Sequence, residues 1–151
     1  MPFLAATRSS QDLLAAEFNF SFDDTARDSV SLTTKTFGSV FTDAIVFDGI
    51  NLPVGAQVVG GDLVAEIAGV GPTAYTLAVG TAASAAAYLA ATSLLALGRT
   101  PLLLTAPLSS IAGANVRLTI ASSVANATAG KFRLTVLYKI DNRSGREVTP
   151  V

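Results

Sequence analysis

The chain of 151 residues contains no cysteine, no histidine and no tryptophan. Without cysteine there is no disulfide framework and no thiolate nucleophile or ligand. Without histidine the commonest general base near neutral pH is gone, and the familiar Ser–His and Cys–His triads cannot be assembled. Charge is also scarce. Only 14% of residues are charged and the formal net charge is -1, where a typical domain carries roughly 25%. That leaves no basic stripe of the kind nucleic acid requires, so no nucleic-acid partner is expected. No stretch is suited to a membrane either. The longest candidate, Thr81 to Leu97, is interrupted by Ser84, Thr92 and Ser93 and is too short and too small-residue-rich to span a bilayer. Met1 to Thr7 has neither a basic start nor a long apolar run, so no secretory signal is expected. The Asn-x-Ser/Thr matches at Asn19, Asn126 and Asn142 therefore read as chance.

What the sequence does contain is alternation. In Lys131 to Asp141, Phe132, Leu134, Val136, Tyr138 and Ile140 alternate with Lys131, Arg133, Thr135, Leu137 and Lys139. Side chains alternate faces along a strand, so this run has one buried and one mostly wet face. Glu17 to Phe22 repeats the pattern with Phe18, Phe20 and Phe22, and Asn115 to Ala121 with Val116, Leu118 and Ile120. Further strands are expected over Ser29 to Phe37, Val40 to Phe47, Ala56 to Ala68, Thr73 to Val79 and Pro101 to Leu108. Asp48-Gly49 reads as a tight turn, and Gly60-Gly61 as a bulge or a close backbone approach. Thr81 to Leu97 departs from the pattern: it is Ala-rich, and either a loop or a short helix capped by Gly98. The fold class is all-β, an antiparallel, jelly-roll-like β-sandwich of about eight strands. Residues 1–16 read as an arm, 17–143 as the sandwich and 144–151 as a polar tail. Strand order is not fixed by these patterns, and other Greek-key connections stay open.

Candidate chemistry is thin. Gly69-Val70-Gly71-Pro72-Thr73-Ala74 formally matches a dinucleotide fingerprint. That fingerprint needs a following helix, however, and Pro72 with a strand-like run follows instead. Asp23, Asp24 and Asp28 form the densest carboxylate cluster, but their spacing fits no calcium loop and turns favour Asp anyway. Asp62 and Glu66 lie at an even spacing, on one strand face, and read as wet-face residues. Lys35, Lys131 and Lys139 also read as a solvated face. No enzyme activity, cofactor or metal is expected.

From Leu52 onward the order of features resembles small tailed-phage virion proteins of the capsid decoration (cement) type. The matching residues are Leu52-Pro53-Val54-Gly55-Ala56-Gln57-Val58-Val59-Gly60-Gly61, Leu77-Ala78-Val79-Gly80, Tyr88-Leu89-Ala90-Ala91-Thr92 and Gly98-Arg99-Thr100. Val116-Arg117-Leu118-Thr119 and Ala127 through Tyr138 complete the match, which spans roughly the last two-thirds of the chain. The segment around Tyr88 departs from it, being Ala- and Leu-rich where similar proteins are more charged.

The resemblance implies a β-sandwich on the outer surface of a virion, made in the host cytoplasm, binding the major capsid protein and stabilising its subunit contacts. It also implies a homo-oligomer, with a trimer favoured. The low charge agrees, because so bland a monomer would be marginally soluble. Candidate partner-binding residues are Phe3, Leu4, Leu13 and Leu14 in the arm and Arg99, Arg117 and Arg133 on strands. The arm hydrophobics have no partner in the strand pattern, and Arg is enriched at interfaces. Arg117 and Arg133 are expected as possible neighbours. The rival reading is a fibre or spike module that recognises a receptor glycan.

Overall fold

A computed structural model describes residues 13–104 and 115–140. Alternating apolar residues drive strand formation, and among the described residues ten strands result: β1 (Leu14–Ser21), β2 (Thr25–Arg27), β3 (Thr34–Thr36), β4 (Ile45–Ile50), β5 (Ala56–Val70), β6 (Ala74–Gly80), β7 (Leu89–Ser93), β8 (Gly98–Pro101), β9 (Val116–Ser123) and β10 (Ala129–Ile140). One sheet has the order β1-β10-β5-β8 and the other β4-β9-β6-β7, with every pairing antiparallel. With the small hairpin β2–β3 set aside, the remaining eight strands cross from sheet to sheet at every step but β6–β7, which pair within one sheet, and so form two Greek keys. This is the jelly-roll order, the choice that local pattern left open.

The inward faces interdigitate. Leu134, Val136 and Phe132 of β10 meet Leu118, Val116 and Ile120 of β9 in one core with Tyr75, Leu77 and Val79 of β6. A chain of rings crosses it: Phe18 to Phe47, Phe47 to Phe37, Phe37 to Phe20, Phe20 to Phe132 and Phe132 to Tyr75, with centroids 4.9–5.9 Å apart. Each such pair adds about 0.5–1.5 kcal/mol beyond its buried area.

Several boundaries differ from the sequence reading. β1 begins at Leu14, so Leu14 to Ala16 belong to a strand paired with β10, not to an arm. The expected strand over Ser29 to Phe37 is a hairpin instead: β2 and β3 flank a turn built on Asp28. Asp48-Gly49 lies inside β4, where the register shifts between Asp48 and Ile50. A Cβ on Gly49 would collide with the Leu118 side chain, so this glycine serves a bulge packed over the core. Thr81 to Leu97 contains no helix. Its second half is the edge strand β7, held by Tyr88 N–H to the Val79 carbonyl at 3.0 Å and Leu94 N–H to the Tyr75 carbonyl at 2.8 Å. Burial of Tyr88, Leu89 and Leu94 overrides the helical preference of alanine. Gly98 opens β8 with φ +152° and caps no helix. Leu102 to Leu104 follow β8 outside any strand, and the rest of the strand expected there lies beyond the described residues.

The double-glycine reading is met at Gly61. Its φ is +139°, and a Cβ there would collide with the Thr135 carbonyl of β10. The ladder shifts register nearby, between Leu137 and Tyr138, so both a bulge and a close backbone approach are present.

Candidate interaction surfaces

The outward face of the β1-β10-β5-β8 sheet carries most of the strand charge. Register puts Asn19, Arg133, Val64 and Arg99 in one row across four strands. Arg99 is ion-paired to Asp62, and Arg133 to Glu66 at 3.1 Å, with Lys131 at 3.5 Å from the other Glu66 oxygen. Asp62 and Glu66 do share a face, as the spacing implied, but each is taken up by cations and they do not converge as an acid–base pair. Exposed pairs like these contribute about 0.2–1 kcal/mol each.

The outward face of the β4-β9-β6-β7 sheet differs. Its central rows are Val46–Thr119–Ala78 and Ala121–Thr76–Ser93, neutral and small. One ion pair sits toward its end, Arg117 Nε to Asp48 Oδ1 at 3.0 Å, with Asn115 donating to the other Asp48 oxygen at 3.2 Å. Desolvation opposes the Asp48 charge, but Arg117 and Asn115 more than offset it and hold the carboxyl below its ordinary range.

Arg117 and Arg133 therefore lie in different sheets on opposite outer faces, not side by side as expected. Arg99 and Arg133 are the two arginines that share a face, one on either side of Val64. Leu13 is 60% exposed just before β1, while Leu14 is half-buried opposite Tyr138. Phe3 and Leu4 lie outside the described residues.

The most elaborate polar cluster was not foreseen. Asp28 is 1% exposed. Its carboxylate accepts from Ser31 Oγ at 2.6 Å, Ser31 N–H at 3.0 Å, Val46 N–H at 3.0 Å, Lys35 Nζ at 3.0 Å and, more weakly, Val30 N–H at 3.4 Å. The Ser31 hydroxyl leads in holding its pKa far below the usual 3.8, against the opposing effect of burial. Lys35 is thus no solvated residue. Its side chain is 10% exposed and its ammonium lies 5.1 Å from the centre of the Phe41 ring. The cluster is a clasp that ties the β2–β3 hairpin beside β4, seconded by Ser29 N–H to the Val46 carbonyl at 2.7 Å. It blunts an otherwise open sheet edge. Asp23 and Asp24 point elsewhere, to the Ser21 hydroxyl at 2.6 and 3.0 Å, so the three carboxylates share no site. Among the described residues no group of three or more possible metal ligands occurs. The sole advance signal for the clasp is an Asp in a turn word, two and three residues before the Val30 and Ser31 N–H groups that its side chain accepts from.

Gly69 to Ala74, the glycine-rich motif, forms the end of β5 and a tight connection into β6. No helix follows to present amides to a phosphate. The connections β1–β4, β5–β6, β7–β8 and β9–β10 gather at one end of the sandwich, and β4–β5, β6–β7 and β8–β9 at the other, as the ladders require. The large exposed hydrophobics of the described residues include no aromatic ring.

No protein-family model and no curated protein matches the sequence. Solved structures do. A chain of the cyanophage Pam1 capsid asymmetric unit superposes with a TM-score of 0.60 at 21% identity, covering 93% of this chain and 94% of that one. A chain of the acid-stable capsid structure of Helicobacter pylori bacteriophage KHP30 does so with a TM-score of 0.54 at 19% identity, covering 85% and 87%. At such identities what is shared is the fold, a jelly-roll sandwich matched over nearly the whole chain.

Proposed function

We propose that this protein is a structural component of a phage head, a non-catalytic cement protein that binds the outside of the shell and bridges major capsid subunits. The observation that carries this reading is near end-to-end likeness to chains of two phage capsid structures. A partial overlap would fit any β-sandwich; here the match takes in 93% of this chain and 94% of the cyanophage chain. The outer faces suit the role physically. Paired charges on one sheet and small neutral residues on the other present little that repels a partner, so binding rests on shape and buried area. Bridging adds buried surface across subunit seams and raises the pressure a shell withstands without any chemistry.

The test is co-sedimentation with heads purified from a phage lacking the protein. Saturable pelleting at a fixed ratio to the major capsid protein is expected. Protein that stays in the supernatant at every head concentration sinks the reading.

A further inference from the structure

One long sheet edge of the sandwich is left open. β4 has the β2–β3 hairpin clasped beside it. β8 is four residues long, and β7 is five and leads into Leu94, whose carbonyl accepts from Gly69 N–H at 2.7 Å. β1 has eight residues and ends its sheet with β10 alone beside it. Phe22 N–H donates to the Gly130 carbonyl at 3.1 Å, so the even-numbered residues of β1 are the ones that bond β10. The odd-numbered residues turn their N–H and C=O groups the other way. Ser21 satisfies both locally: its N–H donates to Asp24 Oδ2 at 2.7 Å and its carbonyl accepts from Asp24 N–H at 3.3 Å. The backbone groups of Ala15, Glu17 and Asn19 have no such partner among the described residues. Native edges are commonly shortened, covered, bulged or studded with lysine. This one pairs with β10 without a register shift and carries Glu17 instead.

Beside that edge lies a cleft of about 340 Å³ between β1, β2 and β4, lined by Phe18, Phe47, Asn19, Asp24 and Asp48 among others. Phe18 is half-buried there. Arg117 answers Asp48, but Asp24, its neighbour Asp23 and Glu17 have no cation partner among the described residues. Arg133, opposite Asn19 on β10, is engaged by Glu66. Aromatic rings beside uncompensated carboxylates favour a cation on an apolar stem.

We infer that β1 takes an extended segment of a partner protein as an added strand, and that a lysine or arginine of that segment enters the cleft. Main-chain bonds to Glu17 and Asn19 supply affinity, and the basic side chain supplies specificity. Side chains of an added strand alternate faces, so every second one falls on the cleft side. A neutral segment leaves Asp24 uncompensated, and an acidic one is repelled. This goes beyond the head-binding reading: the partner segment is defined by its chemistry, and its binding is tested with no heads present.

The experiment is amide NMR of the purified full chain, alone and titrated with a capped peptide of alternating threonine and valine around a central lysine. In the protein alone the Glu17 and Asn19 amides should exchange freely, while those of Phe18 and Phe20, bonded to β10, are protected. The peptide should shift the Glu17, Phe18 and Asn19 signals saturably and slow exchange at Glu17 and Asn19. The same peptide with a central glutamate should bind roughly tenfold more weakly. Asn19→Pro removes an outward N–H and no bond to β10, so it should fold, as thermal melting checks, and lose binding. Asp24→Asn keeps an acceptor for Ser21 N–H and should erase the preference for lysine. Protection of the Glu17 and Asn19 amides without peptide would mean that this chain or a second copy already fills the edge, and would overturn the inference. So would the absence of shifts at millimolar peptide, equal binding of the lysine and glutamate peptides, or full binding by a folded Asn19→Pro protein.

Discussion

Two connections between the sheets invert the usual rule of burial, in opposite directions. The one between β1 and β4 hides a carboxylate, Asp28, and the one between β9 and β10 exposes a strained valine, Val124, at φ +73°. The carboxylate is fully answered from within the chain, by two side chains and backbone N–H groups. The valine is answered by nothing in the described fold. Satisfied inversions of this kind stabilise the fold itself, whereas unsatisfied ones leave strain in it.

Removing the clasp should give the largest effect. Asp28→Ala leaves the buried Lys35 ammonium and the Val46 and Ser31 N–H groups without their acceptor, at a cost of about 3 kcal/mol or more, read as a fall in denaturation midpoint. The same clasp has a pH signature. The folded pKa of Asp28 is depressed, so its contribution is complete above the unfolded value of 3.8 and is lost as pH falls below it toward the lower folded value. Melting temperature should therefore hold down to about pH 5 and fall beneath it, with Asp28→Asn starting lower and falling less steeply.

Next in size is a stabilising change. The Tyr75 hydroxyl is buried without a hydrogen-bond partner, and burial pushes its pKa well above the ordinary 10.0. Tyr75→Phe should therefore raise stability by about 1 kcal/mol; a loss would mean the hydroxyl has a partner after all. Val124→Gly should raise stability by a similar or smaller amount, about 0.5–1 kcal/mol, strain relief being partly offset by the greater freedom of glycine in the unfolded chain. The smallest effect belongs to the exposed ion pairs. Arg133→Ala should cost about 0.5 kcal/mol or less, and that difference should vanish in high salt.

These contrasts also mark what was legible in the sequence. β9 and β10 were plain because each is buried on one face only, and period-two alternation follows directly. The jelly-roll order was not, since it depends on which distant strands pair, as β1 does with β10. β7 was hidden by its alanines, because an edge strand is held by neighbours and not by its own propensity. Asp48-Gly49 carries turn chemistry but is used for a bulge over Leu118. Lys35 looked like any strand lysine; its burial depends on a hairpin folding back beside β4. Ser122-Ser123-Val124-Ala125-Asn126 has the composition of an ordinary loop, and nothing in that word states the sign of φ at Val124. Among the candidate partner-binding residues, alternation placed Arg117 and Arg133 correctly on outward faces, yet could not tell that those faces point in opposite directions.

The cement role itself is tested most directly by heating DNA-filled heads, stripped of the protein and then reconstituted with it, and following DNA release. Added protein should raise the release temperature, and the rise should saturate when the sites on the shell are full. Release at the same temperature with and without bound protein would contradict that role.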